Sequence, residues 1–181
     1  MDKKFFKQCI QEEVYGQYKK AKNRLNFFDK IWCKFLSPQT NAVYLIRKKE
    51  LYESGGGLKR LIARLIFLKL IRRYGVHVGK GVTIDIGLTI PHPIGIVIGA
   101  SHIGKNFKIL QNCTIGTKRV NSRLFPTIGD NVTMFTGSMI IGDIKVADNI
   151  VLGANSTLLS DAKTAGVYIG TPARLISADK E

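Results

Sequence analysis

The sequence predicts a mainly β protein, a parallel β-helix wound from six-residue units, with a basic α-helical segment ahead of it. Three observations predict this. Apolar residues recur at every sixth position from Val78 to Leu158, and glycines and small residues hold fixed places inside the same units. Before Tyr74-Gly75 the pattern is helical and the charge strongly positive.

The chain has 181 residues, 45% of them apolar, enough for a core of its own and one domain with a smaller appendage. Its net charge of +15 is concentrated, with 18 Lys and Arg against 6 Asp and Glu in residues 1 to 77. That segment also carries 12 of the 16 aromatics, so anionic lipid, nucleic acid or a phosphorylated substrate could be drawn to it. In LKRLIARLIFLKLIRR, Leu58 to Arg73, apolar Leu61, Leu65 and Leu68 and basic Arg60, Arg64 and Arg72 recur at helical spacing after a Gly55-Gly56-Gly57 break. The expectation is a helix packed on the rest of the protein with its arginines in water. A membrane-surface helix is the alternative.

Cys9, Cys33 and Cys113 are odd in number and lack C-x-x-C spacing, which excludes a disulfide framework or zinc ribbon and fits a reducing cytoplasm. The opening MDKKFFKQC has no long apolar core or cleavage site, and no stretch approaches the ~20 apolar residues that span a bilayer. A cytoplasmic protein is expected, with peripheral contact at the inner face of the membrane open to the basic segment.

Val78, Ile84, Ile90 and Ile96 are six apart. An insertion at His102 precedes Ile103, Ile109 and Ile115, and after a loop at 121–127 the count resumes at Ile128, Met134, Ile140, Val146, Leu152 and Leu158. A period of six suits a triangular coil in which each unit forms one flat side with its first residue inward. The expected organisation is a helical segment over 1–77, a β-helix catalytic domain over 78–163 and a tail over 164–181. Counting units in threes puts 90, 109, 134 and 152 on one side, 96, 115, 140 and 158 on the next, and 84, 103, 128 and 146 on the third. His92 then heads a column with Gln111, Thr136 and Ala154, about 14 Å long at ~4.8 Å per strand. Such a prism could be an inert scaffold. The polar loop and the histidine point instead to a site.

The blocks IPHPIGIVIG (90–99), ILQNCTIG (109–116), PTIGDNV (126–132), VLGANS (151–156) and GTPARLI (170–176) resemble those of the hexapeptide-repeat acyltransferases, in the serine acetyltransferase-like branch and the short O-acetyltransferases of bacterial surface-polysaccharide biosynthesis. The resemblance covers about 100 residues. It implies a left-handed coil, a homotrimer with sites between prisms, and direct transfer from acetyl-CoA to an acceptor hydroxyl with no metal. It makes His92 the general base, since a neutral imidazole can accept a hydroxyl proton near ambient pH. Backbone N–H groups near Gly116 and Thr117 would hold the oxyanion. Acetyl-CoA would contact Thr136, Gly137, Ala154 and Asn155, with Lys163 or Arg174 near its phosphates. Asp85 is the candidate to orient His92 and Asp130 a second, while Cys113, in an inward place, is expected to pack.

Three positions depart from the serine-specific pattern. Pro91 stands where an aspartate precedes the histidine, Leu124-Phe125-Pro126 where Arg-His-Pro is expected, and His77 where an aspartate would orient the base. These departures lead to the expectation of a sugar hydroxyl on a surface-polysaccharide precursor as acceptor, with serine O-acetylation in cysteine biosynthesis as the alternative. A trimeric zinc carbonic anhydrase would need histidine ligands, and His77, His92 and His102 lack the close second pair expected there. A non-catalytic scaffold is a further alternative, and no motif supports specific nucleic-acid binding.

Overall fold

The computed structural model describes residues 1–19, 25–119, 121–122 and 124–177. Residues 20–24 of the basic stretch, positions 120 and 123 at and within the loop, and 178–181 of the C-terminal segment lie outside the described residues.

The described residues up to 74 are mainly helical: α1 (Lys3–Cys9), α2 (Gly16–Lys19), α3 (Phe27–Ile31), α4 (Pro38–Glu53) and α5 (Gly57–Tyr74), with π-helical turns at Ile10–Val14 and Trp32–Leu36. The α5 helix stops at Gly75, whose left-handed backbone lets its N–H cap the last turn on Ile71 and Leu70. Its core face is Ala63, Ile66, Leu70 and Tyr74. Leu61, Leu65 and Leu68, the leucines of the sequence pattern, are exposed instead. A helix apolar on two sides shows the same spacing whichever side meets the core.

Among the described residues fourteen short strands follow: β1 (Val76–Val78), β2 (Thr83–Ile84), β3 (Ile96–Ile98), β4 (His102–Ile103), β5 (Lys108–Ile109), β6 (Thr114–Gly116), β7 (Thr127–Ile128), β8 (Thr133–Met134), β9 (Met139–Ile141), β10 (Lys145–Val146), β11 (Ile150–Leu152), β12 (Thr157–Leu158), β13 (Gly166–Gly170) and β14 (Ala173–Ser177). Parallel pairing groups them into three sides: β1-β3-β6-β9-β12, β2-β4-β7-β10 and β5-β8-β11-β13. The second and third sides match the assignment by threes. Because β13 pairs with β11 and β14 folds back on it antiparallel, the third side runs on past residue 163.

The first side corrects the count. Ile98, not Ile96, is level with Val78 and Ile115, while Val97 faces Thr114. Thr89 bridges Lys108, so seven residues (90–96) face five (109–113) on the next coil. The unit bearing His92 therefore holds two extra residues. Ile96 and Ile98 are both fully buried, and that hid the shift, because either satisfies a period-six reading.

Corners are turned by Gly and Asn in left-handed backbone, where only these residues sit without strain. Between the second and third sides stand Gly87, Asn106, Asn131 and Asn149, all at positive φ. Their amides form a ladder, Asn106 Nδ2 donating to Asn131 Oδ1 at 2.9 Å and Asn131 Nδ2 to Asn149 Oδ1 at 2.9 Å. Asp130 staples the same edge by accepting the Lys105 N–H at 2.7 Å. Gly104 lies so close to the next coil that a Cβ would fall 2.6 Å from the Gly129 carbonyl carbon. Gly104→Ala is expected to destabilise the protein by about 1–3 kcal/mol. A melting temperature equal to that of the parent would show that the coils can part there at no cost.

The helices are bound to the first coil by a buried charge cluster. Arg47 donates to Glu13 Oε1 at 2.6 Å and Oε2 at 2.8 Å, to Glu50 at 2.9 Å, and to the carbonyls of Ile84 and Asp85 at 2.7 Å each. Glu13 Oε1 also accepts the N–H groups of Gly87 at 2.8 Å and Leu88 at 3.1 Å. Burial works against the Arg47 charge, but its hydrogen bond with Glu13 and the nearby Glu50 and Glu13 charges outweigh it and raise its pKa. Burial also raises the Glu50 carboxyl, although the Arg47 charge opposes this.

Candidate active site

His92 stands at the corner between the third and first sides, inside the unit with two extra residues. Its carbonyl accepts the Ile94 N–H at 2.9 Å, a three-residue turn that interrupts the regular coil and leaves the His92 side chain outside while Pro93 stays buried. The side chain is exposed, and its ring makes no hydrogen bond or ion pair among the described residues. A regular six-residue unit would have kept this position on the wall.

Below it the column follows the register. Lys108 to Met134 and Thr133 to Leu152 pair in steps that align Gln111, Thr136 and Ala154. The Gly137 N–H donates to the Gln111 carbonyl at 3.0 Å and the Asn155 N–H to that of Thr136 at 2.9 Å. Leu152 pairs with Tyr168, which carries the column one coil further to Gly170. The corner beside it is Gly95, Asn112, Gly137 and Asn155, all at positive φ. Each Asn amide covers the glycine above it: a Cβ at Gly95 would run into Asn112 Oδ1 and one at Gly137 into Asn155 Oδ1. Backbone and the Asn112 and Asn155 amides thus line this corner. Within the column, Gln111 Oε1 is buried without a hydrogen-bond partner.

The other sequence-designated residues are spread differently. Asp85 lies on the second side, 3.7 Å from His102 Nε2, and does not bond His92. Thr83 Oγ1 sits 3.1 Å from His102 Nδ1, on the other side of the same ring. Asp130 is engaged as the corner staple. Gly116 ends β6 and its carbonyl accepts from Gly142 at 2.9 Å, while Thr117 Oγ1 donates to the Arg119 carbonyl at 2.9 Å. Both stand at the far end of the first side, about 13 Å of strand from the His92 corner. Arg174 is exposed on β14 opposite Ile169, beside the foot of the column. Lys163 is exposed just after Ala162, which bridges Val146 on the second side, so it lies toward the other end of the last coil.

Cys113 is fully buried, with its Sγ 3.0 Å from the Phe135 carbonyl and 3.5 Å from Ser138 Oγ, a packing position. Burial pushes the Cys9 thiol up to about 12. His77 is exposed on β1 with its ring 5.1 Å from that of Phe67. Among the described residues no group of three or more His, Cys, Asp or Glu is gathered to hold a metal ion. Two features here escape the sequence count: the extra residues around His92 and the continuation of the column to Gly170. The Pro-His-Pro run was the available sign of the first.

No protein-family model matches the chain. A serine acetyltransferase of Staphylococcus epidermidis is 34% identical over 124 residues, which are 67% of this chain and 58% of that protein. The chain thus spans about three-fifths of the length of that relative. Among solved structures, the serine acetyltransferase of Neisseria gonorrhoeae in complex with serine superposes with a TM-score of 0.75 at 19% identity, covering 97% of this chain and 70% of the other. A serine acetyltransferase in complex with CoA gives 0.74 at 19% identity, covering 96% and 71%. The fold is therefore the left-handed β-helix of these proteins with a short helical segment before it. The likeness to the Staphylococcus protein, a serine acetyltransferase by name, overturns the expectation of a sugar hydroxyl on a surface-polysaccharide precursor. That expectation rested on Pro91, Leu124 and Phe125 lacking groups that hold serine. Losing one set of contacts removes a way of binding serine without building a sugar site.

Proposed function

We propose that this chain, a hexapeptide-repeat protein of the acyltransferase family, is an acetyl-CoA-dependent serine O-acetyltransferase. The observation that carries this reading is the exposed imidazole of His92, without a ring partner among the described residues, at the head of the column Gln111, Thr136 and Ala154 in a chain whose named relatives are serine acetyltransferases.

His92 takes the proton of the serine hydroxyl as its oxygen attacks the thioester carbonyl of acetyl-CoA. The tetrahedral intermediate collapses with loss of the CoA thiolate, which recovers the proton from the imidazolium. No covalent enzyme intermediate is needed, in keeping with the burial of Cys113. The pantetheine arm lies along Thr136, Gly137, Ala154 and Asn155, where small side chains let it approach the backbone. Arg174, at the foot of the column, is better placed than Lys163 to meet its phosphates. The Gly116 and Thr117 donors stand too far along their own prism to serve its His92. In a homotrimer a neighbouring prism would bring such a corner to the column, which is our reason for proposing that assembly.

The test is thiol release from acetyl-CoA by the purified chain with free serine and, separately, with free sugars. Turnover with serine is expected, and turnover confined to sugars or water would sink the proposal. Ala154→Trp, which puts a bulky ring on the column, is expected to raise the KM for acetyl-CoA at least about tenfold and leave the melting temperature within a few degrees. An unchanged KM would put the cosubstrate elsewhere.

A further inference from the structure

We infer that the outer face of α5, together with the aromatic segment before α4, is a docking face for the surface of an anionic phospholipid bilayer. This stands independently of the acetyl-transfer reading.

The α5 helix carries two apolar stripes. Ala63, Ile66, Leu70 and Tyr74 are buried against the protein. Leu58, Leu61, Leu65 and Leu68 are 72%, 52%, 58% and 43% exposed. At ~100° per residue the second stripe lies roughly opposite the first, so no packing within the chain accounts for it. Arg60 and Arg64 flank it on one side, Lys69 and Arg73 on the other, and Arg72 continues its line. The helix holds six Lys and Arg and no Asp or Glu.

A second exposed apolar surface adjoins it. Phe27, Phe28, Trp32, Phe35 and Leu36 are exposed, and Arg73 Nη2 lies 3.5 Å from the Phe35 carbonyl, where the two surfaces meet. The Trp32 indole N–H donates to Tyr18 Oη at 3.3 Å, leaving half of the residue on the surface. Leucine and aromatic side chains rimmed by Lys and Arg are the chemistry of a helix lying in the headgroup layer. No helix among the described residues is long and apolar enough to cross a membrane, so the face would rest on the lipid.

Charge selects lipid over the α5 stripe of a second copy of the chain. Pairing two α5 stripes would bring six positive charges against six, with no acidic side chain on either helix to relieve them. An anionic headgroup layer supplies the missing sign, and each basic residue near it strengthens binding about fivefold.

Trp32 is the single tryptophan, so its emission reports on this face alone. With the full chain and phosphatidylcholine vesicles containing phosphatidylserine, co-sedimentation and a blue shift are expected, and with phosphatidylcholine alone neither. Arg64→Gln/Lys69→Gln/Arg72→Gln should weaken binding about a hundredfold. Leu61→Gln/Leu65→Gln should abolish the part that survives high salt, with thermal unfolding unchanged in both variants because every altered side chain is exposed. Unshifted emission on anionic vesicles, or binding indifferent to both variants, overturns the inference. So does an assembly of the parent chain that Leu61→Gln/Leu65→Gln dissolves while vesicles leave Trp32 unaffected, since a second copy would then cover the face.

Discussion

Replacing His92 by alanine is expected to lower kcat for acetyl transfer by about a hundred- to ten-thousandfold, the range that a positioned general base contributes. The fold should be untouched, because the side chain is exposed and bonded to nothing among the described residues. Binding of acetyl-CoA, read by thermal shift, should persist, since the column from Gln111 to Gly170 stays intact. Activity within a factor of two of the parent would remove the general base from the mechanism and leave the prism as a scaffold. By contrast Asp85→Asn should change kcat little, because its carboxylate faces His102. Comparable losses in both variants would mean that the two residues act together despite their separation here.

Breaking the Glu13–Arg47 pair is expected to destabilise the protein by about 3–5 kcal/mol, the cost of leaving one buried charge without its partner. Both side chains are fully buried, so solvent cannot take the place of either. Glu13→Gln would leave the guanidinium with Glu50 as its remaining charged partner, and Arg47→Met would strand two carboxylates. The second should be the worse, and denaturant unfolding of the two variants measures the order. Loss under about 1 kcal/mol in either would show that the cluster is relieved by movement of the helices. Glu13 also holds the Gly87 and Leu88 N–H groups. Glu13→Ala, which removes that acceptor altogether, therefore frees the loop that leads to His92, and kcat should fall in it even where the protein stays folded.

The repeat was legible because a β-helix is built from local spacing. Each inward residue follows the last by a set number of positions, so the second and third sides and the alignment of Gln111, Thr136 and Ala154 could be counted off the chain. The count failed where two buried isoleucines, Ile96 and Ile98, both fit the pattern, since an inward position two residues away satisfies the same burial. The shift it hid is the one that interrupts the coil at His92. Asp85 illustrates a second limit. Seven residues separate it from His92, yet a corner of the coil turns between them, and proximity in sequence became separation in space.

The acceptor marks a third limit. Pro91, Leu124 and Phe125 were read as departures from a serine-binding pattern, but missing contacts do not name another ligand, and the sequence likeness over 67% of the chain is to a serine acetyltransferase.

Spacing along the chain determined the six-residue coil, two of its three sides and the column of Gln111, Thr136 and Ala154, because hydrophobic burial repeats with the local geometry that creates it. Tertiary structure alone decided which leucines of α5 face outward, that Arg47 and Glu13 meet across 34 positions of sequence, and that the His92 side chain stands outside the coil. Those outcomes depend on which surfaces find each other after the chain has folded, and contacts of that range leave no period in the sequence.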